Sequence, residues 1–252
     1  MSKVYRTYVS NPCCKKAEKI GDLRGGLELL LYNPTLRDGE TTMTVYFTDR
    51  EPHTFAPVKV PAESNYLLIM PEMDPAIFDD CGFWGARFES DVPMLADTIG
   101  GMSYYHPDER YAGCAPTFAG VDLHTEWHYA DGLWRDWRRH FRDDLSKAPT
   151  PFNELDYFFF LNPGKRDARV DMTLRFRNTD HITIHLTVPA ERVRVWNNYE
   201  RIPSNEPYAV KIISSEPIAT SSVRFIYGLH GFEEWGLKAR CAQYPKPGPI
   251  TA

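Results

Sequence analysis

The run Asp122-Leu123-His124-Thr125-Glu126-Trp127-His128 is the densest group of reactive side chains in this sequence. On a β-strand successive side chains alternate between faces, so His124, Glu126 and His128 share one face while Leu123, Thr125 and Trp127 share the other. Two imidazoles flanking a carboxylate form a facial ligand set for a divalent metal, with coordination positions left for a substrate. Without metal, Glu126 between two histidines is an acid–base pair. His106, Asp108 and Glu109, in the loop before, are further donors. The plainer reading is a polar strand face at a domain boundary, where these groups meet water; H-x-E-x-H alone is not a specific motif. His181 and His185 also share a strand face, but Thr183 between them and Arg177 nearby point to a solvated outer sheet face.

Aromatic residues make up 13% of the chain, enough to supply stacking surfaces for a sugar or an adenine-like ring. The candidates are Trp84, Tyr104, Tyr105 and Trp127, each set against the ordinary role of filling a core or an interface. Arg135 belongs to an arginine-rich stretch able to grip a carboxylate or phosphate, where a solvated charged face is the alternative. Serine-nucleophile elbows of the G-x-S-x-G type are absent, and Gly100-Gly101-Met102-Ser103 is too sparse for a phosphate loop. Five cysteines without C-x-x-C spacing indicate neither a disulfide framework nor a zinc ribbon; the adjacent Cys13-Cys14 reads as chance neighbours rather than a soft-metal site. A net charge of −5 (29 − 34) speaks against nucleic acid and anionic membranes as partners. Lacking both a bilayer-length apolar run and a signal-peptide start, the chain is expected to be cytoplasmic, with no membrane insertion.

The elements that position these residues read as short strands. Met43, Val45 and Phe47 alternate with Thr42, Thr44, Tyr46 and Thr48; Val170, Met172, Leu174 and Phe176 alternate with Asp171, Thr173, Arg175 and Arg177. Further strands are expected at Val4–Val9, Leu27–Tyr32, Val58–Val60, Tyr66–Met70, Arg87–Phe88, Met94–Ile99, Ile182–Val188, Val193–Trp196, Val210–Ile213 and Val223–Tyr227. One helix is expected at Leu133–Leu145, where Trp134, Trp137, Phe141 and Leu145 form an apolar stripe among arginines and aspartates. The chain also repeats itself. Asn33-Pro34, Arg37-Asp38 and Met43-Thr44 recur 129 residues on (162 − 33) as Asn162-Pro163, Arg166-Asp167 and Met172-Thr173. Val60-Pro61-Ala62-Glu63 recurs 128 on (188 − 60) as Val188-Pro189-Ala190-Glu191, and Ser90-Asp91-Val92-Pro93 falls opposite Ser214-Ser215-Glu216-Pro217. A domain-sized period implies two similar domains rather than a solenoid. The expected fold is therefore all-β: two tandem β-sandwich domains from an internal duplication, residues 1–115 and 116–252, with a short amphipathic helical insert at about 133–145.

The repeated residues carry a family resemblance. Tyr46-Phe47-Thr48-Asp49-Arg50-Glu51-Pro52 followed by Val60-Pro61-Ala62, and again Leu186-Thr187-Val188-Pro189-Ala190, resemble the middle of the sensory rhodopsin transducers, small soluble bacterial proteins. The Ser90–Pro93 and Ser214–Pro217 turns are similar to that family's last hairpin, and Trp127-His128-Tyr129-Ala130-Asp131-Gly132 to its opening Trp-x-x-Ala-acid-Gly signature. The resemblance implies a β-sandwich subunit, assembly into oligomers (typically tetramers) and a signalling or binding role rather than a known reaction. Sandwiches of this kind also look similar to carbohydrate-binding modules, an analogy of fold alone. The expectation is thus a non-catalytic oligomeric binding protein, a dimer of duplicated chains, that recognises a small polar ligand or a protein partner and needs no cofactor. The alternative is a metal-dependent or acid–base enzyme acting on a sugar-like or carboxylate substrate through His124, Glu126 and His128.

Overall fold

Asn33 and Asn162 each close a buried strand and then organise the loop that follows. Both are fully buried. The Asn33 amide Nδ2 donates to the carbonyls of Arg37, Val60 and Pro61 at 2.8, 3.1 and 3.1 Å, and its Oδ1 accepts from the Thr35 N–H. Asn162 donates to Arg166, Val188 and Pro189 at 2.8, 3.1 and 3.2 Å and accepts from the Gly164 N–H. Asp38 and Asp167 each take the N–H of the alanine in the Pro-Ala-Glu stretch, Ala62 and Ala190. The glutamates after those alanines, Glu63 and Glu191, share a left-handed backbone, with φ of 50° and 55°. The two loops share these amide and aspartate bonds; the Thr35 hydroxyl adds two that Gly164 cannot make.

The computed structural model describes residues 3–15, 22–69, 73–78, 80–105, 111–114, 117–136, 153–198, 201–203, 205–228 and 231–240. Its first half contains β1 (Tyr5–Lys15), β2 (Asp22–Asn33), β3 (Gly39–Phe47), β4 (His53–Thr54), β5 (Val58–Val60), β6 (Ser64–Ile69), a one-turn helix (Pro75–Phe78), β7 (Asp80–Ser90), β8 (Leu95–Tyr105), β9 (Tyr111–Cys114) and β10 (Thr117–Ala119). The second contains β11 (His124–Leu133), β12 (Arg135–Asp136), β13 (Asn153–Asn162), β14 (Ala168–Phe176), β15 (Ile182–Val188), β16 (Arg192–Asn197), β17 (Pro207–Gly228) and β18 (Gly231–Arg240). The fold is all-β, and among the described residues every ladder is antiparallel.

In the first half, β1-β7-β3-β4 form one sheet, with β5 also on β3; β10-β8-β2-β6 form the other, with β9 on β8. The second half has the same arrangement. β17 serves both its sheets: Tyr208–Ser214 pairs with β14, and Ala219–Tyr227 with β13. β11 lies beside the first part of β17 and β16 beside β13. β17 runs as strand through Ser214–Pro217, the stretch expected as a turn, and changes partner there, where the first half instead separates β7 from β8. β10 remains bound to β8, and Val121 exchanges backbone hydrogen bonds with Tyr8 at 2.8 and 2.9 Å, so pairing with the first half runs on to residue 121.

Each sandwich has a core, and the first reaches Phe159 and Val223 of the second half. Val9, Leu29, Leu31, Val45, Phe47, Trp84 and Phe88 anchor the first; Trp127, Phe158, Phe160, Met172, Leu174 and Ile212 anchor the second. Burying each such large side chain stabilises the fold by about 1.5–3 kcal/mol. A third cluster joins the halves: Tyr8 and Tyr46 from the β1-β7-β3 sheet pack on Leu161, Val193 and Ala219 from the β16-β13-β17 sheet. Ser10 bonds Ser221 across this contact at 2.9 Å, and Arg192 pairs with Glu51. The two inner sheets are thus covered on both faces.

That packing corrects two sequence expectations. β3 is not half-exposed at its end: Thr44 and Tyr46, on the face opposite the first core, are as buried as Val45 and Phe47 because the second half covers them. The helix expected from Leu133 does not begin there. Leu133 closes β11 opposite Pro207, and Arg135–Asp136 pair with Glu154 and Asn153. These ladders satisfy backbone groups that a first helical turn would leave open. Residues 137–145, the rest of that expected helix, lie outside the described residues.

Candidate functional site

The strand register assembles one broad polar surface, the outer face of the second half's β15-β14-β17-β11 sheet. Asp171 stands beside His185 on one side and Ile213 on the other, with Glu126 beyond Ile213. The next row runs Thr183, Thr173, Lys211 and His128. His185 Nδ1 lies 2.7 Å from Asp171 Oδ1, and Thr173 and Thr183 share a hydroxyl contact at 3.2 Å. On the far side His128 Nε2 and Lys211 Nζ both reach Glu126 Oε1, at 3.0 and 3.2 Å. Ile213, 39% exposed, is an apolar spot between these two groups.

This face takes up two of the three residues in the expected H-x-E-x-H site. Glu126 and His128 meet on it. His124 is separated by a bulge: it pairs with Ile218 while Glu126 pairs with Ile213. Its ring lies edge-on to Trp127, centroids 5.4 Å apart. Among the described residues, no three His, Cys, Asp or Glu side chains are grouped to hold a metal ion. Glu126 and His128 can relay a proton between them, and Lys211 holds a positive charge beside the carboxylate.

The aromatic candidates divide. Trp84 and Trp127, 0% and 1% exposed, are core residues, which corrects their expected role as stacking surfaces. Trp127 Nε1 donates to the Ile218 and His124 carbonyls, so both ring and N–H are engaged. Tyr104 and Tyr105 lie in β8 and Arg135 in β12; their side chains, like residues 106–110, fall outside the described residues.

Sequence reasoning missed a buried polar network at one end of the second core. Asp156, 1% exposed, accepts from the Leu133 N–H at 2.6 Å, Tyr208 OH at 2.8 Å and Arg224 Nε at 2.9 Å. Asn198 bonds Tyr208 OH, the Leu133 carbonyl and the Asp156 backbone. Arg224 also reaches Asp131 at 3.4 Å. Burial drives the Asp156 carboxyl up to about 6, against the pull of Arg224 and the donated hydrogen bonds; burial also raises the Tyr208 hydroxyl well above its ordinary range. Gly132 lets the Tyr208 ring approach, since a Cβ there would sit 2.0 Å from a ring carbon. Trp127, Asp131 and Gly132 of the signature stretch therefore seat β11 on the second core. Strand parity held the clue to Asp156, which shares a face with Phe158 and Phe160. In the first half, Leu27 and Gly100 occupy the paired positions that Asp156 and Arg224 hold in the second.

An open cleft of about 520 Å³ lies at the end of the β1-β7-β3 sheet, beside Arg6, Glu40 and Glu89. Its charges are largely matched to one another: Glu89 pairs with Arg6 and Arg87, and Asp91 binds the Glu40 N–H and Arg37.

Fold and site thus define an all-β protein of two like sandwiches with a polar outer face on the second. Residues 139–226 match the family model for Anabaena sensory rhodopsin transducer. The match covers about a third of the chain and falls on the second half, where the Asp156–Arg224 pair lies. A solved structure of the Anabaena sensory rhodopsin transducer is 26% identical, over 39% of this chain and 84% of that one, with a TM-score of 0.31. A crystal structure of Thermotoga maritima 1070 is 14% identical, over 49% of this chain and 97% of that one, with a TM-score of 0.39. No curated protein matches the chain. Among the described residues, no helix is long and apolar enough to cross a membrane.

Proposed function

We propose that this chain is a tandem pair of transducer-like sandwiches that acts in the cytoplasm by binding rather than by catalysis. The observation that carries this reading is the transducer family match over residues 139–226. The two asparagine loops with matching amide bonds support the duplication, with the first module beginning at residue 1 and the second following the β10–Val121 stretch rather than starting at 116. The polar face with Glu126, His128, Asp171, His185 and Lys211 is the surface we assign to a protein partner, a second copy of this chain included. Its paired charges and central Ile213 suit a flat protein contact, with an apolar spot inside a polar rim. A small polar ligand of the carbohydrate kind is the other occupant this face would admit. In the duplicated chain the working unit is a homo-oligomer.

Metal content separates binding from the enzyme alternative. Untagged protein purified without chelator is expected to carry far less than one metal per chain, with no change in a His124→Ala/His128→Ala variant. Near-stoichiometric metal that disappears in the variant would overturn the non-catalytic reading.

A further inference from the structure

The contact between the halves has an uncovered counterpart. On the second half's inner sheet, cross-strand rows Val193–Leu161–Ala219 and Val195–Phe159–Ser221 lie under Tyr8, Tyr46 and Ser10 of the first half. The first half's own outer sheet repeats these rows as Asn65–Tyr32–Leu95 and Leu67–Leu30–Asp97. Leu161 and Ala219 are fully buried, whereas Tyr32, Leu67 and Leu95 are 39%, 48% and 61% exposed. A clustered apolar patch of this kind on a water-facing sheet marks an interaction surface.

The covering face also has a free counterpart. Inside the chain it is presented by the row Tyr8–Arg87–Thr44 and the neighbouring pair Gly85–Tyr46. In the second half the same places hold His128–Lys211–Thr173 and Ala209–Arg175, on the open polar face.

We propose that the Tyr32–Leu67–Leu95 patch docks on the outer β15-β14-β17-β11 face of a second copy of this chain, repeating between molecules the contact made within each one. The proposal rests on reading the chain as two like modules. Charge agrees with it. Burial pushes the Tyr46 hydroxyl up to about 12; Arg87 opposes that rise, and the Glu191 carboxylate across the internal contact adds to it. Glu63 takes the place of Glu191 in the first half: both follow Pro-Ala, both have positive φ, and both donate their N–H to a loop carbonyl, of Thr35 and Gly164 respectively. Arg175 takes the place of Tyr46. Between copies a cation therefore comes opposite a carboxylate. Because the two faces differ, the pairing is head to tail and closes into a ring or extends further.

Light scattering on the full chain tests this with Leu95→Glu, Arg175→Glu, Glu63→Arg and the Glu63→Arg/Arg175→Glu double variant. All three sites are exposed, and circular dichroism confirms that each variant folds. The wild type is expected to be larger than one chain. Each single variant should weaken assembly roughly tenfold or more, since like charges are then apposed or a charge enters the patch. The double variant should recover assembly. A monomeric wild type overturns the proposal, as does assembly indifferent to these changes. Loss with Leu95→Glu alone, without effect of Arg175→Glu and without rescue, also overturns it, because the patch then meets its own copy. Metal content is read separately, so failure here leaves the non-catalytic reading standing, and a metal-loaded assembly would sink that reading alone.

Discussion

Asp156 is a carboxyl whose folded environment differs sharply from its unfolded surroundings. Burial outweighs Arg224, so the native carboxyl holds its proton up to about pH 6, while the unfolded chain releases it near the ordinary carboxyl value of 3.8. A carboxyl raised on folding contributes stability that is fully present below the unfolded pKa and is lost as pH rises through the folded one. Urea midpoints should therefore show an Asp156-dependent loss between about pH 4 and 6, and Asp156→Asn should flatten that slope; an unchanged slope refutes the assignment. Tyr208 and Asp131 are the other titratable groups around the Arg224 pair. Arg224→Met leaves the carboxylate without its cation and should cost about 3–5 kcal/mol at neutral pH by urea unfolding. Gly132→Ala drives a methyl into the Tyr208 ring and should cost about 1–3 kcal/mol in the same measurement. An alanine that left stability untouched would mean that Tyr208 can move aside.

At the scale of elements, the asparagine loops matter most. Each ties a strand end to a loop carbonyl and to the far Val-Pro segment through one buried amide. Asn162→Ala strands those carbonyls and should destabilise the second sandwich by about 1–3 kcal/mol, read as a fall in the urea midpoint; Asn33→Ala should do the same to the first. Most strands were legible because period-two alternation survives wherever one face is wet, as in β14. Alternation failed to describe Phe158–Leu161, where every residue is buried. It also left the strand content of β9 and β10, too short to show a period, and of β18 unseen. The helical stripe beginning at Trp134 misled because local period competes with strand pairing, and pairing partners distant in sequence decided the backbone at 133–136. The H-x-E-x-H face was legible in two of its three members. The bulge that turns His124 aside arises from the partner strand β17, which no local pattern announces.

Across the whole molecule, the halves are joined by an apolar contact with Leu161 at its centre, closely approached by Gly85. Leu161→Glu places a charge there and should uncouple the sandwiches, so that calorimetry resolves two unfolding transitions in place of one. A single transition at the wild-type temperature would show that the contact carries no cooperativity. The same comparison of halves explains the divergence of the two outer faces. Where the face is covered within the chain it carries Tyr8 and Tyr46; where it is open it carries His128, Arg175 and Lys211.

The sequence by itself determined the all-β fold, the repeat of the asparagine loop and the resemblance to the transducers, because alternation and turn residues act over a few positions. Tertiary structure alone decided which faces are spent. Whether a tryptophan stacks on a ligand or fills a core, and whether a tyrosine meets water or another sheet, depends on what distant strands cover it. Trp84, Trp127 and Tyr46 were settled in that way, and so was the carboxyl of Asp156, whose charge is governed by burial among residues from β11, β13 and β17.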